Sequence, residues 1–100
     1  MKKKIYISGA VTGIEISAVL FFEKAEKKLI DQGFEVVNPM TLEHNHDSTW
    51  NSYMRTDLKA LLDCDYIYML SNWKNSRGAK IEHNLAKELE IGVIFQSENE

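Results

Sequence analysis

Apolar and polar positions along the chain repeat with two alternating periods. Lys4-Ile5-Tyr6-Ile7-Ser8 is rich in β-branched and aromatic residues and predicts a strand. Gly9-Ala10-Val11-Thr12-Gly13 follows as a turn. Thr12 and Glu15 have the spacing of a capping box, which satisfies free backbone N–H groups at a helix start. Ala18, Phe21, Phe22, Ala25 and Leu29 then recur at helical spacing, with Glu23, Lys24, Lys27 and Lys28 on the other side. Gly33 stands where a left-handed cap stops a helix. Phe34 to Asn38 predicts a second strand, ended by Pro39. Residues 40–49 are polar and read as a loop. Ser48 or Thr49 is placed to cap a second helix, which carries Tyr53, Met54, Leu58, Leu61 and Leu62 at helical spacing. Tyr66 to Leu70 predicts a third strand, and Ser71 to Gly78 a polar loop. Ala79, Glu82, Leu85, Ala86 and Leu89 mark a third helix, with its end at Gly92. Val93-Ile94-Phe95 is a fourth strand, and Gln96 to Glu100 reads as a frayed tail.

The order β-α-β-α-β-α-β predicts an α/β fold, a parallel sheet covered by helices on both faces. Right-handed crossovers leave few topologies. The one expected is a small flavodoxin-like or Rossmann-like three-layer sandwich, with a four-stranded sheet in the order 2-1-3-4. Ligands in such sheets bind at the carboxyl ends of the strands, where the strand order reverses. That places the site at the loop Ser8–Gly13 and the loop Ser71–Gly78, with the helices they open.

Composition narrows the setting. The 100 residues, 44% of them apolar, suit one domain spanning 1–100 with a single core. The single cysteine, Cys64, excludes an intramolecular disulfide framework and is expected in the core. The basic start Lys2-Lys3-Lys4 is not followed by the continuous apolar segment of a signal peptide, and no run is long enough to span a membrane. A net charge of −3 with no basic patch gives no case for nucleic acid. The expected setting is cytoplasmic, without membrane partners.

Glu82 carries the most information. It shares the apolar face of the third helix, about a turn from the start. An inward carboxylate is costly unless it is paired or used. Its other readings are a helix-start acid near the macrodipole, or a rim residue paired with Lys80 or Arg77. The turn Ser8–Gly13 allows close backbone approach and opens a helix, whose N-terminus attracts anions. It matches neither the dinucleotide fingerprint nor the P-loop, and is otherwise a tight strand–helix turn. Ser76 either caps the third helix or donates to a ligand. Tyr6 reads as core, Asp57 as a solvated surface carboxylate and Asp65 as a turn residue. His83 is expected exposed or partly so. His44, Asn45, His46 and Asp47 hint at a metal site, but lack a clear third and fourth ligand.

Tyr6-Ile7-Ser8-Gly9-Ala10-Val11-Thr12-Gly13, Val37-Asn38-Pro39, Trp50 with Tyr53-Met54-Arg55-Thr56-Asp57-Leu58, Cys64-Asp65, and Trp73 with Ser76-Arg77-Gly78-Ala79, Glu82 and Ala86 form a combination. Together these segments resemble the nucleoside 2-deoxyribosyltransferase-like domains, relatives of the deoxynucleoside 5′-monophosphate N-glycosidases. The resemblance covers nearly the whole chain. It implies that Glu82 attacks the anomeric carbon of a 2′-deoxynucleoside or its 5′-monophosphate, forming a glycosyl ester that water or a second base resolves. It implies further that Tyr6 positions Glu82 and that Asp57 contacts or protonates the leaving base. Ser8, Gly9, Thr12, Gly13, Ser76 and Gly78 would bind substrate. Ser76, where the nucleoside transferases carry aspartate, favours a 5′-phosphate. Val11 and Thr12 stand where relatives often have a phosphate-holding arginine, leaving Arg55 or Arg77 to replace it. No cofactor and no metal are implied. The alternative is a nucleotide-binding module without turnover.

Relatives complete the site with a polar residue from a partner subunit. In this chain Gln96, Ser97 and Asn99 are the candidates. Trp50, Trp73, Phe21 and Phe22 also supply more bulky apolar surface than one small core absorbs. A homodimer or larger even homo-oligomer is therefore expected.

Overall fold

The fold is seen in a computed structural model that describes residues 2–44 and 47–97. Its strands are β1 (Lys4–Ser8), β2 (Glu35–Val37), β3 (Tyr66–Met69) and β4 (Gly92–Phe95), and its helices α1 (Glu15–Asp31), α2 (Trp50–Leu62) and α3 (Arg77–Glu88). The four strands form one parallel sheet in the order β2-β1-β3-β4. This is the expected α/β topology, and the strand order reverses between β1 and β3.

Period-two alternation divides the core. Ile5 and Ile7 of β1, with Tyr68 of β3, meet the α1 stripe of Ala18, Phe22, Ala25 and Leu29. Tyr6, Ile67 and Met69 face the other way, onto Leu61 of α2 and Ala79 and Ala86 of α3. Ser8 is two residues from Tyr6 and shares its face. Cys64 packs in this second core as expected, and burial pushes its thiol up to about 11. Phe22 is buried in the first core, so it adds no outer surface for a partner. Phe21, one position round the helix, is exposed instead.

The element ends differ from expectation in instructive places. Thr12 does not cap α1. The N-cap position is Ile14, without a side-chain bond. Gly13, at φ +86°, turns the chain after Thr12, and neither half of the box forms: Glu15 Oε2 accepts from Gly13 N–H at 3.1 Å, not from Thr12. Gly33 does end α1, at φ +95°, with Gly33 N–H donating to Ile30 O and Phe34 N–H to Leu29 O, the Schellman pattern. β2 is shorter than expected because Asn38 leaves the sheet. Its Oδ1 accepts from Met40 N–H at 2.9 Å and caps a 3-10 turn, Pro39–Thr41, inside the segment expected as loop. Another 3-10 turn, Trp73–Asn75, lies in the loop before α3. Thr49, not Ser48, caps α2, accepting from Ser52 N–H at 3.2 Å.

Gly92 does not terminate α3. It opens β4, where an added Cβ would lie 2.5 Å from the Tyr66 ring. The left-handed residue is Glu90, at φ +58°. Glu90 N–H donates to Lys87 O and Ile91 N–H to Ala86 O, so Glu90 occupies the position glycine favours in a Schellman end. A left-handed non-glycine residue costs roughly 1–2 kcal/mol, partly offset by the looser unfolded chain that glycine brings. Glu90→Gly is therefore expected to raise stability by about 0.5–1 kcal/mol in denaturant titration. An unchanged or lower midpoint contradicts this account of the α3 end.

Candidate functional site

A cavity of about 710 Å³ opens at the carboxyl end of β1, beside the start of α3. β1 contributes Tyr6 and Ser8, α3 contributes Glu82, and α2 contributes Trp50, Tyr53 and Asp57. Gly9, Thr12, Ser76 and Gly78 also line it, while Gly13 lies just outside. A second depression, lined by Lys2, Lys3, Gln32, Gly33 and Phe34, brings together no carboxylate.

Ser76 positions the start of α3. Its Oγ accepts from Ala79 N–H at 3.1 Å, so the serine caps the helix. Gly78 lets the helix lie against α2: a Cβ there would stand 2.9 Å from Met54 Sδ. Glu82 then arrives above β1 with only 5% of its surface exposed. Tyr6 Oη donates to Glu82 Oε2 at 2.5 Å, and Ser8 Oγ donates to Oε1 at 2.7 Å. Glu82 thus pairs with two hydroxyls of β1, not with Lys80 or Arg77. Arg77 instead lays its guanidinium over the Trp50 ring, 4.3 Å from the centroid. Gly9 is confined by Leu70 of the α1-side core, since a Cβ would meet its Cδ1 at 2.6 Å.

Burial pushes the Glu82 carboxyl up to about 7. The Tyr6 and Ser8 hydrogen bonds oppose that shift, and the charge of Asp57 adds to it. Tyr6 is held well above the usual phenol range by burial, then by the charges of Glu82 and Asp57. It therefore keeps its proton and donates.

Asp57 is not a solvated surface group. Its Oδ1 lies 3.2 Å from His44 Nε2, and both side chains are largely shielded from water. The His44 ring packs against Tyr53 in a tilted contact at a centroid distance of 4.6 Å. Sequence reasoning weighed His44 only as a metal ligand. Its pairing with Asp57 joins residues 13 apart across a loop, which no spacing rule reveals. Asn45 and His46 of that cluster lie outside the described residues. Asp47 accepts from Thr49 and Ser52 at the start of α2. Among the described residues no group of three or more His, Cys, Asp or Glu side chains could hold a metal ion.

The turn before α1 makes internal use of its amides. Ala10 N–H donates to Asn72 Oδ1 at 3.0 Å, Gly13 N–H to Glu15, and Ile14 N–H to Val11 O. Of the residues considered for completing a partner's site, Gln96 accepts from Ser71 N–H of its own chain at 2.8 Å. Asn99 lies outside the described residues. His83 is half-buried, tilted against the Trp73 ring at 4.4 Å, and does not line the cavity.

A family model for a domain of unknown function, DUF4406, matches residues 3–95. The chain belongs to this family. The match runs from β1 through β4, so the DUF4406 domain includes every residue that lines the cavity. A search of curated proteins finds no match. Among the described residues no helix is long and apolar enough to cross a membrane.

The raised Glu82 gives a stability prediction with a definite sign. Between the ordinary carboxyl value of 4.5 and about 7 the folded state binds the extra proton, so stability falls as pH rises through this window. The stability tied to Glu82 is fully present below 4.5 and gone above about 7. Glu82→Gln stays neutral at every pH, so it should remove this pH dependence and be more stable than wild type by about 1–3 kcal/mol at pH 8. Equal pH dependence of the two proteins in denaturant titration contradicts it.

Proposed function

We propose that this chain cleaves or transfers at the N-glycosidic bond of a 2′-deoxynucleoside or its 5′-monophosphate, with Glu82 as nucleophile. The observation that carries the reading is the Glu82 carboxylate, buried at the strand-order reversal and aligned by Tyr6 and Ser8. A carboxylate fixed in a water-poor cleft suits attack at an anomeric carbon. One Glu82 oxygen forms the bond to C1′, and the electron pair of the C1′–N bond leaves with the base. Asp57, on the cavity wall, supplies a proton to that base. Water or a second base then displaces Glu82 from the ester. No step calls for a cofactor. The substrate class comes from the resemblance to nucleoside 2-deoxyribosyltransferase-like domains, and Ser76 in the cavity wall is compatible with a 5′-phosphate.

The reading includes a cytoplasmic, even homo-oligomer. Its support is α1, where Ile16, Val19, Leu20 and Phe21 are exposed beside the cavity-lining Glu15 and Phe22. A second reading, nucleotide binding without turnover, is favoured by one observation: both Glu82 oxygens already accept a hydrogen bond.

Incubation with each 2′-deoxynucleoside and 5′-monophosphate, followed by chromatography for free base, tests the proposal. At least one substrate should release base, and Glu82→Ala should cut the rate by about 1,000-fold or more. The ionised Glu82 is the nucleophile, so release should rise with pH through about 7. Equal release by wild type and variant overturns the proposal. Thermal stabilisation by a nucleotide without any release selects the binding reading.

A further inference from the structure

His44 has two fixed neighbours whose chemistry determines where its protons lie. Nδ1 lies 2.9 Å from Leu42 O, and Nε2 lies 3.2 Å from Asp57 Oδ1. A carbonyl oxygen only accepts, so Nδ1 carries hydrogen. Leu42 itself is anchored by the capped turn, through Leu42 N–H to Pro39 O and Thr41 Oγ1 to Asn38 O. With Nδ1 protonated, a neutral ring would point the Nε2 lone pair at a carboxylate oxygen. The contact is attractive only if one more proton lies in it. Either an imidazolium donates to the carboxylate, or a carboxylic acid donates to the neutral ring.

Surroundings favour the same count. Asp57 and Glu82 line one cavity, and each negative charge disfavours the other. A His44–Asp57 pair holding the extra proton has no net charge. The pair without it places a second ionised carboxylate in the cavity with Glu82. Tyr53 packs against the His44 ring in a tilted contact, at a centroid distance of 4.6 Å, on the same cavity wall.

We infer that His44 and Asp57 share one acid proton, and that this pair, not Asp57 alone, protonates the base leaving C1′. The inference rests on the proposed reaction. His44 is a positioning residue that acts through Asp57. In the first step Glu82 bonds to C1′, the C1′–N pair goes into the departing base, and the shared proton moves to that base, at N7 of a guanine. The pair is left as neutral imidazole and carboxylate. In hydrolysis water then attacks C1′, Glu82 leaves as carboxylate, and the proton of that water returns to the pair. Each turnover thus restores the starting proton count.

Two measurements test this separately from the reaction itself. The first is a long-range proton–nitrogen spectrum of the wild-type imidazoles at neutral pH. It should show His44 with hydrogen on Nδ1, and a downfield proton on the Nε2–Oδ1 contact that Asp57→Asn removes. A bare Nδ1 with hydrogen only on Nε2 overturns the inference, whether or not the protein is active. The second compares base release from 2′-deoxyguanosine, or its 5′-monophosphate, with release from the 7-methyl form, whose base departs without gaining a proton. His44→Gln should lower kcat on the ordinary substrate by about 10–100-fold and leave the methylated one within about twofold. Equal loss on both overturns the inference. If wild type releases no base from any substrate, the proposed reaction fails, and the spectrum alone decides the shared proton.

Discussion

A carboxylate with 5% exposure is the constraint on which the rest of this structure depends. Left without partners, such a group costs several kcal/mol to bury. Two hydroxyls on one strand meet that demand. Tyr6 and Ser8 are two residues apart in β1, so the pleat sends both to the same face. α3 must then sit over β1 with Glu82 about one and two-thirds turns past the Ser76 cap. Gly78 permits the close approach to α2, and Ala79 and Ala86 keep the helix low on the sheet. Capping, small residues and strand alternation thus act together to hold one side chain.

The cavity that results is rich in acids. Glu15, Asp57 and Glu82 all line it, with His44 as the basic group among them. Burial and mutual repulsion both disfavour full ionisation of such a set. This is the setting in which protons are held within a site at neutral pH. The turn before α1 contributes less positive potential than its position suggests, because Asn72 and Glu15 take two of its amides. Under the proposed function, recognition through sugar hydroxyls and the base suits such a wall. The Trp50 ring at its edge, backed by Arg77, offers a flat face for stacking.

The fold was readable because both faces of the sheet are covered, which forces periodicity on nearly every segment. Ile5, Tyr6 and Ile7 all had to be apolar, and the α1 stripe Ala18, Phe22, Ala25, Leu29 follows the helical period. Errors fell where a local rule had a rival. Thr12 has capping-box spacing, but Gly13 turns the chain before the helix begins. Gly92 resembles a helix stop, yet it is there to clear the Tyr66 ring, and Glu90 takes the left-handed position. Glu82 stood out as a charge on an apolar face. Its contact with Ser8, 74 residues away, depends on strand pairing and helix placement together. The His44–Asp57 pair was least readable, because its loop has no periodicity.

The central claim is that the Glu82 carboxylate becomes covalently bonded to C1′. Acid quenching of the protein during turnover of a 2′-deoxynucleoside substrate, followed by peptide mass spectrometry, tests it most directly. A deoxyribosyl group should appear as an ester on the peptide bearing Glu82, and be absent from Glu82→Gln. Base release without any adduct under rapid quench, or an adduct on another residue, contradicts the account.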